Sequence, residues 1–202
     1  PADYNGDGTS EIGIFRPSSV MWSIRNLTRV YFGGAEDFVL PGDYAGDGSS
    51  RPAIFRPAAG FWVIYALTRE YFGGAADLPV PADYDGDGTR DLAVFRGSQS
   101  LWSARNVTRA YFGGGADIAA PADYDGDGRA EIAVFRPANG YWAIRLLTTF
   151  YFGAAGDRPV PADYDGEGAD DAGIFRDGAG MWNARALTRV YLGSTGDIPV
   201  TR

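Results

Sequence analysis

The chain repeats itself every forty residues. Shifted by forty against itself, it superposes "PADYNGDG" at Pro1, "PGDYAGDG" at Pro41, "PADYDGDG" at Pro81 and Pro121, and "PADYDGEG" at Pro161. The 202 residues therefore divide into units 1–40, 41–80, 81–120, 121–160 and 161–200. Each unit continues with an apolar run ending in Phe-Arg (Phe15-Arg16 to Phe175-Arg176), then a Trp segment (Trp22, Trp62, Trp102, Trp142, Trp182), then Tyr-Phe-Gly or Tyr-Leu-Gly. Such self-similarity signals a stacked or ring architecture in which one unit cannot bury its own faces.

In unit three the pattern predicts four short strands: Leu78 to Tyr84, Asp91 to Arg96, Leu101 to Val107 and Thr108 to Phe112. The runs are rich in Val, Ile, Phe, Tyr and Trp, and too often broken by Gly and Pro for helices. Small residues recur along the second strand (Gly13, Ala53, Ala93, Ala133, Gly173), as expected where sheets approach closely. The Trp strand is apolar on both faces, which suits a sheet held between two others. A β-solenoid usually has shorter coils and a simpler repeat, so the expectation is a single all-β domain, a five-bladed β-propeller. The linker "DLPVPADY" implies that each blade takes its first strand from the preceding unit. By that logic Asp197 to Thr201 would lie near Pro1 to Tyr4 and complete the first blade, removing an exposed edge.

Composition narrows the partners. With 26 acidic and 18 basic residues, the formal charge of −8 argues against nucleic acid and anionic membranes. No apolar run approaches the roughly 18 residues of a membrane span. Every cation is Arg; Lys, His and Cys are absent, which removes the usual bases and covalent nucleophiles. No Ser sits in a G-x-S-x-G turn. The expectation is a non-enzymatic protein. A chain that begins at Pro1 also leaves room for a leader lost in processing.

The acidic residues are crowded. "DYDGDGTRD", 83 to 91, holds Asp83, Asp85, Asp87 and Asp91. Carboxylates on one tight turn repel each other until protonation or a cation relieves them. Oxygen-only donors select hard ions, and Ca²⁺ accepts about 6 to 8 oxygens at flexible geometry. Asp83, Asp85 and Asp87 would point inward, the Thr89 carbonyl would add a main-chain oxygen, and Asp91 would close the site. An EF-hand also begins D-x-D-x-D-G but needs Glu at its twelfth position and helical flanks; here the twelfth residue is Val94 and the flanks read as strands. Asx-rich turns without metal are the plain alternative, but turn formation needs only one or two of these acids.

This pattern, D-x-D-x-D-G-x-x-D on a β-hairpin with "YFGG" shortly before it, resembles the FG-GAP repeat of integrin α-chain propellers and related bacterial repeats in secreted proteins and lectins. The resemblance covers the whole chain. It implies that each loop joins the first two strands of a blade and holds a structural Ca²⁺ away from any catalytic centre. Asp123, Asp125, Asp127 and Glu131 match, with Arg129 supplying the carbonyl; Asp163, Asp165, Glu167 and Asp171 match with Ala169 in that role. Asp3, Asn5, Asp7 and Glu11, with Thr9, keep the oxygens but lose one charge. Unit two keeps Asp43 and Asp47 but has Ala45 at the third position and Arg51 where the last acid should be. About four Ca²⁺ per chain are expected, with the Asp43–Arg51 loop empty and Arg51 neutralising Asp43 or Asp47. Four such ions would bring the formal charge from −8 to zero.

The five Trp could stack on sugars, although their regular placement reads more simply as core. Arg16, Arg56, Arg96, Arg136 and Arg176 could line a groove or bond the Asp37, Asp77, Asp117, Asp157 and Asp197 series. Asn26 and Asn106 stand in N-x-T acceptor sequences. The functional expectation is an extracellular or cell-surface, calcium-stabilised module that binds a carbohydrate or protein. The alternative is a structural block that self-associates into a layer or filament.

Overall fold

The computed structural model describes residues 2–194 and is a five-bladed β-propeller built from small antiparallel sheets, with short 3-10 turns and no α-helix among the described residues. Blade three shows the plan: Leu78–Pro79, Ala93–Arg96, Leu101–Ala104 and Thr108–Tyr111 lie side by side in that order. As the linker implied, Leu78 and Pro79 come from the preceding unit and pair with Phe95 and Val94. The first blade has three strands among the described residues, Gly13–Arg16, Met21–Ile24 and Thr28–Tyr31. The expected closing segment, Asp197 to Thr201, lies outside the described residues.

All four strands are shorter than in the sequence reading; the last ends at Tyr111 rather than Phe112, and the other three differ for local reasons. The first strand pairs only at Leu78–Pro79 and at an isolated Ala82–Asp91 bridge, because Pro79 and Pro81 have no N–H to give the ladder. The second strand begins at Ala93 rather than Asp91, since Asp91 is spent on that isolated bridge. The Trp strand stops at Ala104, since Asn106 turns the chain with φ of 63°. A 3-10 turn at Gly97–Gln99 followed by left-handed Ser100 joins the second and third strands. That turn was not anticipated.

Each blade is packed by its neighbour. Trp22 and Val30 of unit one form a core cluster with Ile54 of unit two, and Trp62 does so with Val94 of unit three. Trp22, Trp62, Trp102 and Trp142 are at most 2% exposed. The indoles of Trp62, Trp102 and Trp142 donate to the Phe72, Phe112 and Phe152 carbonyls at 3.0, 3.1 and 2.9 Å. The small residues of the second strand make room for tyrosine. A Cβ on Gly173 would lie 2.8 Å from the Tyr164 ring, and Tyr164 Oη donates to the Val160 carbonyl at 2.7 Å. The first strand thereby fastens to the second.

Four of the five Phe-Arg residues form the ion pairs that were one of two readings for the series; Asp197, the expected partner of Arg16, lies outside the described residues. Arg56, Arg96, Arg136 and Arg176 each make a two-pronged pair with Asp37, Asp77, Asp117 and Asp157, at 2.6 to 3.0 Å. The four carboxylates are buried while the guanidinium groups stay half-exposed. Each pair ties the entry of the first strand to the end of the second.

The turn after the Trp strand needs a left-handed residue in every unit, and Asn26 and Asn106 suit it better than Ala66, Leu146 or Ala186. Leu146 has φ of 66° and a side chain 92% exposed, so it has no packing to offset its backbone cost. Leu146→Asn is expected to raise unfolding free energy by on the order of 1 kcal/mol in a denaturant titration.

Candidate metal centres

Each acidic loop is shaped by its own amides. In unit three the two Asp83 oxygens accept from the Gly86 and Gly88 amides at 2.7 and 2.8 Å. Asp85 accepts from Asp87 N–H at 3.2 Å, Asp87 from Thr89 N–H at 2.7 Å, and Asp91 from Tyr84 N–H at 2.9 Å. Gly86 and Gly88 sit at φ of 76° and 83°, which lets the chain curl round Asp83. A carboxylate oxygen that accepts one amide keeps a second lone pair, so these bonds orient the acids without using them up.

The fold gathers the acids in four units. Ligand-capable atoms lie within 4.8 Å of one another in Asp3, Asp7, Glu11; in Asp83, Asp85, Asp91; in Asp123, Asp125, Asp127; and in Asp163, Asp165, Asp171. Three of the expected acids converge each time. Asp87, Glu131 and Glu167 stand outside that spacing, and Asn5 instead bonds Asp7 at 3.0 Å. Two of the residues chosen for their carbonyls reach the preceding loop: a Cβ at Gly46 would meet Thr89 Oγ1 at 2.8 Å, and one at Gly86 would meet the Arg129 side chain at the same distance.

The loops are also chained to one another. Ser50, Arg90, Ala130 and Asp170 donate their amides to the carbonyls of Asp3, Asp43, Asp83 and Asp123 in the preceding unit, at 2.6 to 2.8 Å. Loop order in one blade therefore bears on the next. Asp170 was not foreseen: its carboxylate accepts the Asp123 amide at 3.0 Å, and the only sequence signal is an acid where the other units carry Ser, Arg or Ala.

Unit two differs as expected. Arg51 pairs with both oxygens of Asp47 at 3.0 and 2.6 Å, donates to the Ser49 carbonyl at 3.1 Å and lies 3.9 Å from Asp43. A guanidinium thus sits beside Asp47 and Asp43 in the loop that has Ala45 and Arg51 where other units carry ligand residues. It acts as a built-in cation for Asp47. The all-oxygen donor sets of the other four loops suit a hard divalent ion.

Protonation behaviour follows the same division. Burial, and then repulsion from Asp85, Asp83 and Asp87, pushes Asp91 up to about 6. Glu131 and Asp171 are raised for the same kind of reason. Asp47 moves the other way, down to about 2, through its hydrogen bonds from Arg51 and the Ser49 amide.

The Trp positions are corrected as candidate ligand platforms. Trp22, Trp62, Trp102 and Trp142 are buried between sheets and present no ring face; Trp182 alone is partly exposed. The chain matches no protein-family model, and searches of curated proteins and of solved structures return no match.

Two outcomes follow. A raised carboxyl is more stable protonated in the folded state, so the metal-stripped protein should gain thermal stability as pH falls from about 7 towards about 5, through the Asp91 value. Protons displace a bound cation, so with excess Ca²⁺ the slope should invert; melting curves across this range check both. The double variant Ala45→Asp, Arg51→Asp should raise calcium capacity by one ion per chain in equilibrium dialysis.

Proposed function

We propose that the protein is a non-enzymatic, extracellular β-propeller whose acidic loops hold Ca²⁺ and whose rim serves as a binding or adhesion module for a carbohydrate or protein. The observation that carries the calcium reading is unit two, where loss of the acids coincides with an arginine pairing Asp47 from within. The carboxylates of Asp3, Asp7 and Glu11 and of the three matching groups would hold the ion. Its charge offsets repulsion that the loop amides only partly relieve. The ion's part is structural, because the hairpins of units one to four are linked through the main-chain carbonyls of Asp3, Asp43, Asp83 and Asp123 to the next unit.

The binding reading is supported by five equivalent tyrosines at the ends of the outer strands. Tyr31, Tyr71, Tyr111, Tyr151 and Tyr191 are 63 to 75% exposed. Tyr71 and Tyr151 lie against Phe61 and Tyr141, with ring centroids 4.6 and 5.3 Å apart, and the Arg136 guanidinium sits 5.4 Å from the Tyr141 ring centre. Aromatic faces beside guanidinium groups suit hydroxyl-rich ligands, and their repetition suits polyvalent ones.

A glycan array probed with calcium-loaded protein, with stripped protein, and with stripped protein after calcium is restored tests this. Hits that vanish on stripping and return with calcium are expected, and Tyr71→Ala with Tyr151→Ala should lower them at least tenfold. Binding that is absent in all three states would rule out the carbohydrate reading.

A further inference from the structure

The residue that follows the Trp strand reaches the preceding unit at three of the four junctions inside the chain. Tyr65 stacks on Phe32 with ring centroids 5.6 Å apart, Arg105 pairs with the Glu70 carboxylate at 3.3 Å, and the Arg185 guanidinium lies 4.2 Å from the centre of the Phe150 ring. Arg145 is the member of this series at the junction of blades three and four, and the residue forty after Glu70 and forty before Phe150 is Ala110. A methyl group offers neither charge nor ring. The Arg145 guanidinium is half-buried and has no hydrogen bond, ion pair or ring contact among the described residues.

A groove of about 400 Å³ opens beside it, lined by Arg145, by Arg129 of the acidic loop, and by Leu146 and Leu147. That volume lies within the roughly 300–1,000 Å³ of sites that take small ligands. The Arg129 guanidinium is likewise without a hydrogen bond or ion pair among the described residues. Leu146 and Leu147 are 92% and 44% exposed, an apolar ledge next to two unanswered cations. The equivalent groove between blades two and three differs on both counts, since Glu70 already holds Arg105 and Thr89 stands in the place of Arg129.

We propose that the groove between blades three and four receives an acidic side chain from a peptide segment of a partner protein. The inference rests on the calcium and protein-binding reading above and names the chemistry of the partner. The chain supplies the template, because at the neighbouring junction the carboxylate of Glu70, carried on a strand, already pairs with the equivalent arginine. An incoming glutamate does the same at Arg145, with Arg129 as a second guanidinium, and a planar guanidinium suits a carboxylate through two parallel N–H bonds. An apolar residue next to that glutamate covers Leu146 and Leu147. Asp125, Asp127 and Glu131 line the same groove, so its side chains carry three negative charges against two positive until a divalent ion answers the acids. Peptide binding at this groove is therefore calcium-dependent, and the site is separate from the exposed tyrosines, since Thr108 at its edge and Tyr111 end the same strand on opposite sides.

The test is an NMR titration of the arginine side-chain N–H signals with the blocked peptide acetyl-Ala-Glu-Leu-amide, its Gln counterpart and methyl glucuronoside, on calcium-loaded and on stripped protein, with calcium content measured in parallel. The Glu peptide should shift the Arg129 and Arg145 signals to saturation on loaded protein alone, and should bind at least tenfold more tightly than the other two. Arg145→Ala should weaken it at least tenfold. Ala110→Glu, which copies unit two, should do the same by giving Arg145 an internal partner, and both variants should keep the wild-type calcium content. Tighter binding of the glucuronoside would assign the groove to an acidic sugar and overturn the proposal. Equal binding of the Gln peptide, binding that both variants leave intact, or full calcium uptake without any shift would also overturn it while leaving the calcium reading in place. A chain that takes up no calcium would overturn the calcium reading, and this inference with it.

Discussion

A sheet of three or four short strands has two apolar faces and too little area to bury either alone, so everything in this fold depends on one blade covering the next. The Trp of each unit is the means. It reaches across the junction to the second strand of the following blade, donates its indole N–H to a carbonyl ten residues on, and leaves no polar atom stranded where the fit is complete. Among the described residues the exception is Trp22, whose indole nitrogen lacks a partner. Such a buried donor costs about 1–3 kcal/mol, a local weakness in the first blade.

Two electrostatic devices hold the blades, one within each blade and one at the acidic loops, and they differ in accessibility. The Arg–Asp pairs are internal to each blade, with the carboxylate buried and the guanidinium open to solvent on one side. They need nothing from solution. The acidic loops are the reverse, because their charges are of one sign and the relieving charge must come from outside, except where Arg51 provides it. In units one, three, four and five three acids gather within ligand spacing, whereas in unit two Arg51 pairs with Asp47.

Most of this was legible in the sequence because the repeat aligned five independent instances of each position. A single Phe-Arg or Asp-x-Asp is ambiguous, but Arg56, Arg96, Arg136 and Arg176 facing an Asp nineteen residues earlier in each case leave little freedom. The defect at Ala45 and Arg51 stood out for the same reason. What escaped was set by contacts between units rather than within them. The Asp170 carboxylate engages a loop 47 residues away. Strand lengths escaped because prolines and left-handed turn residues cut the ladder sooner than apolar content suggests.

The central claim is that a divalent cation sits in every loop with a full acid set and that an arginine replaces it in the remaining one. Anomalous diffraction from crystals grown in calcium addresses this most directly. Density is predicted within the acid groups around Asp3, Asp83, Asp123 and Asp163, with only the Arg51 guanidinium between Asp43 and Asp47. Four blank loops, or a fifth peak beside Arg51, would contradict it.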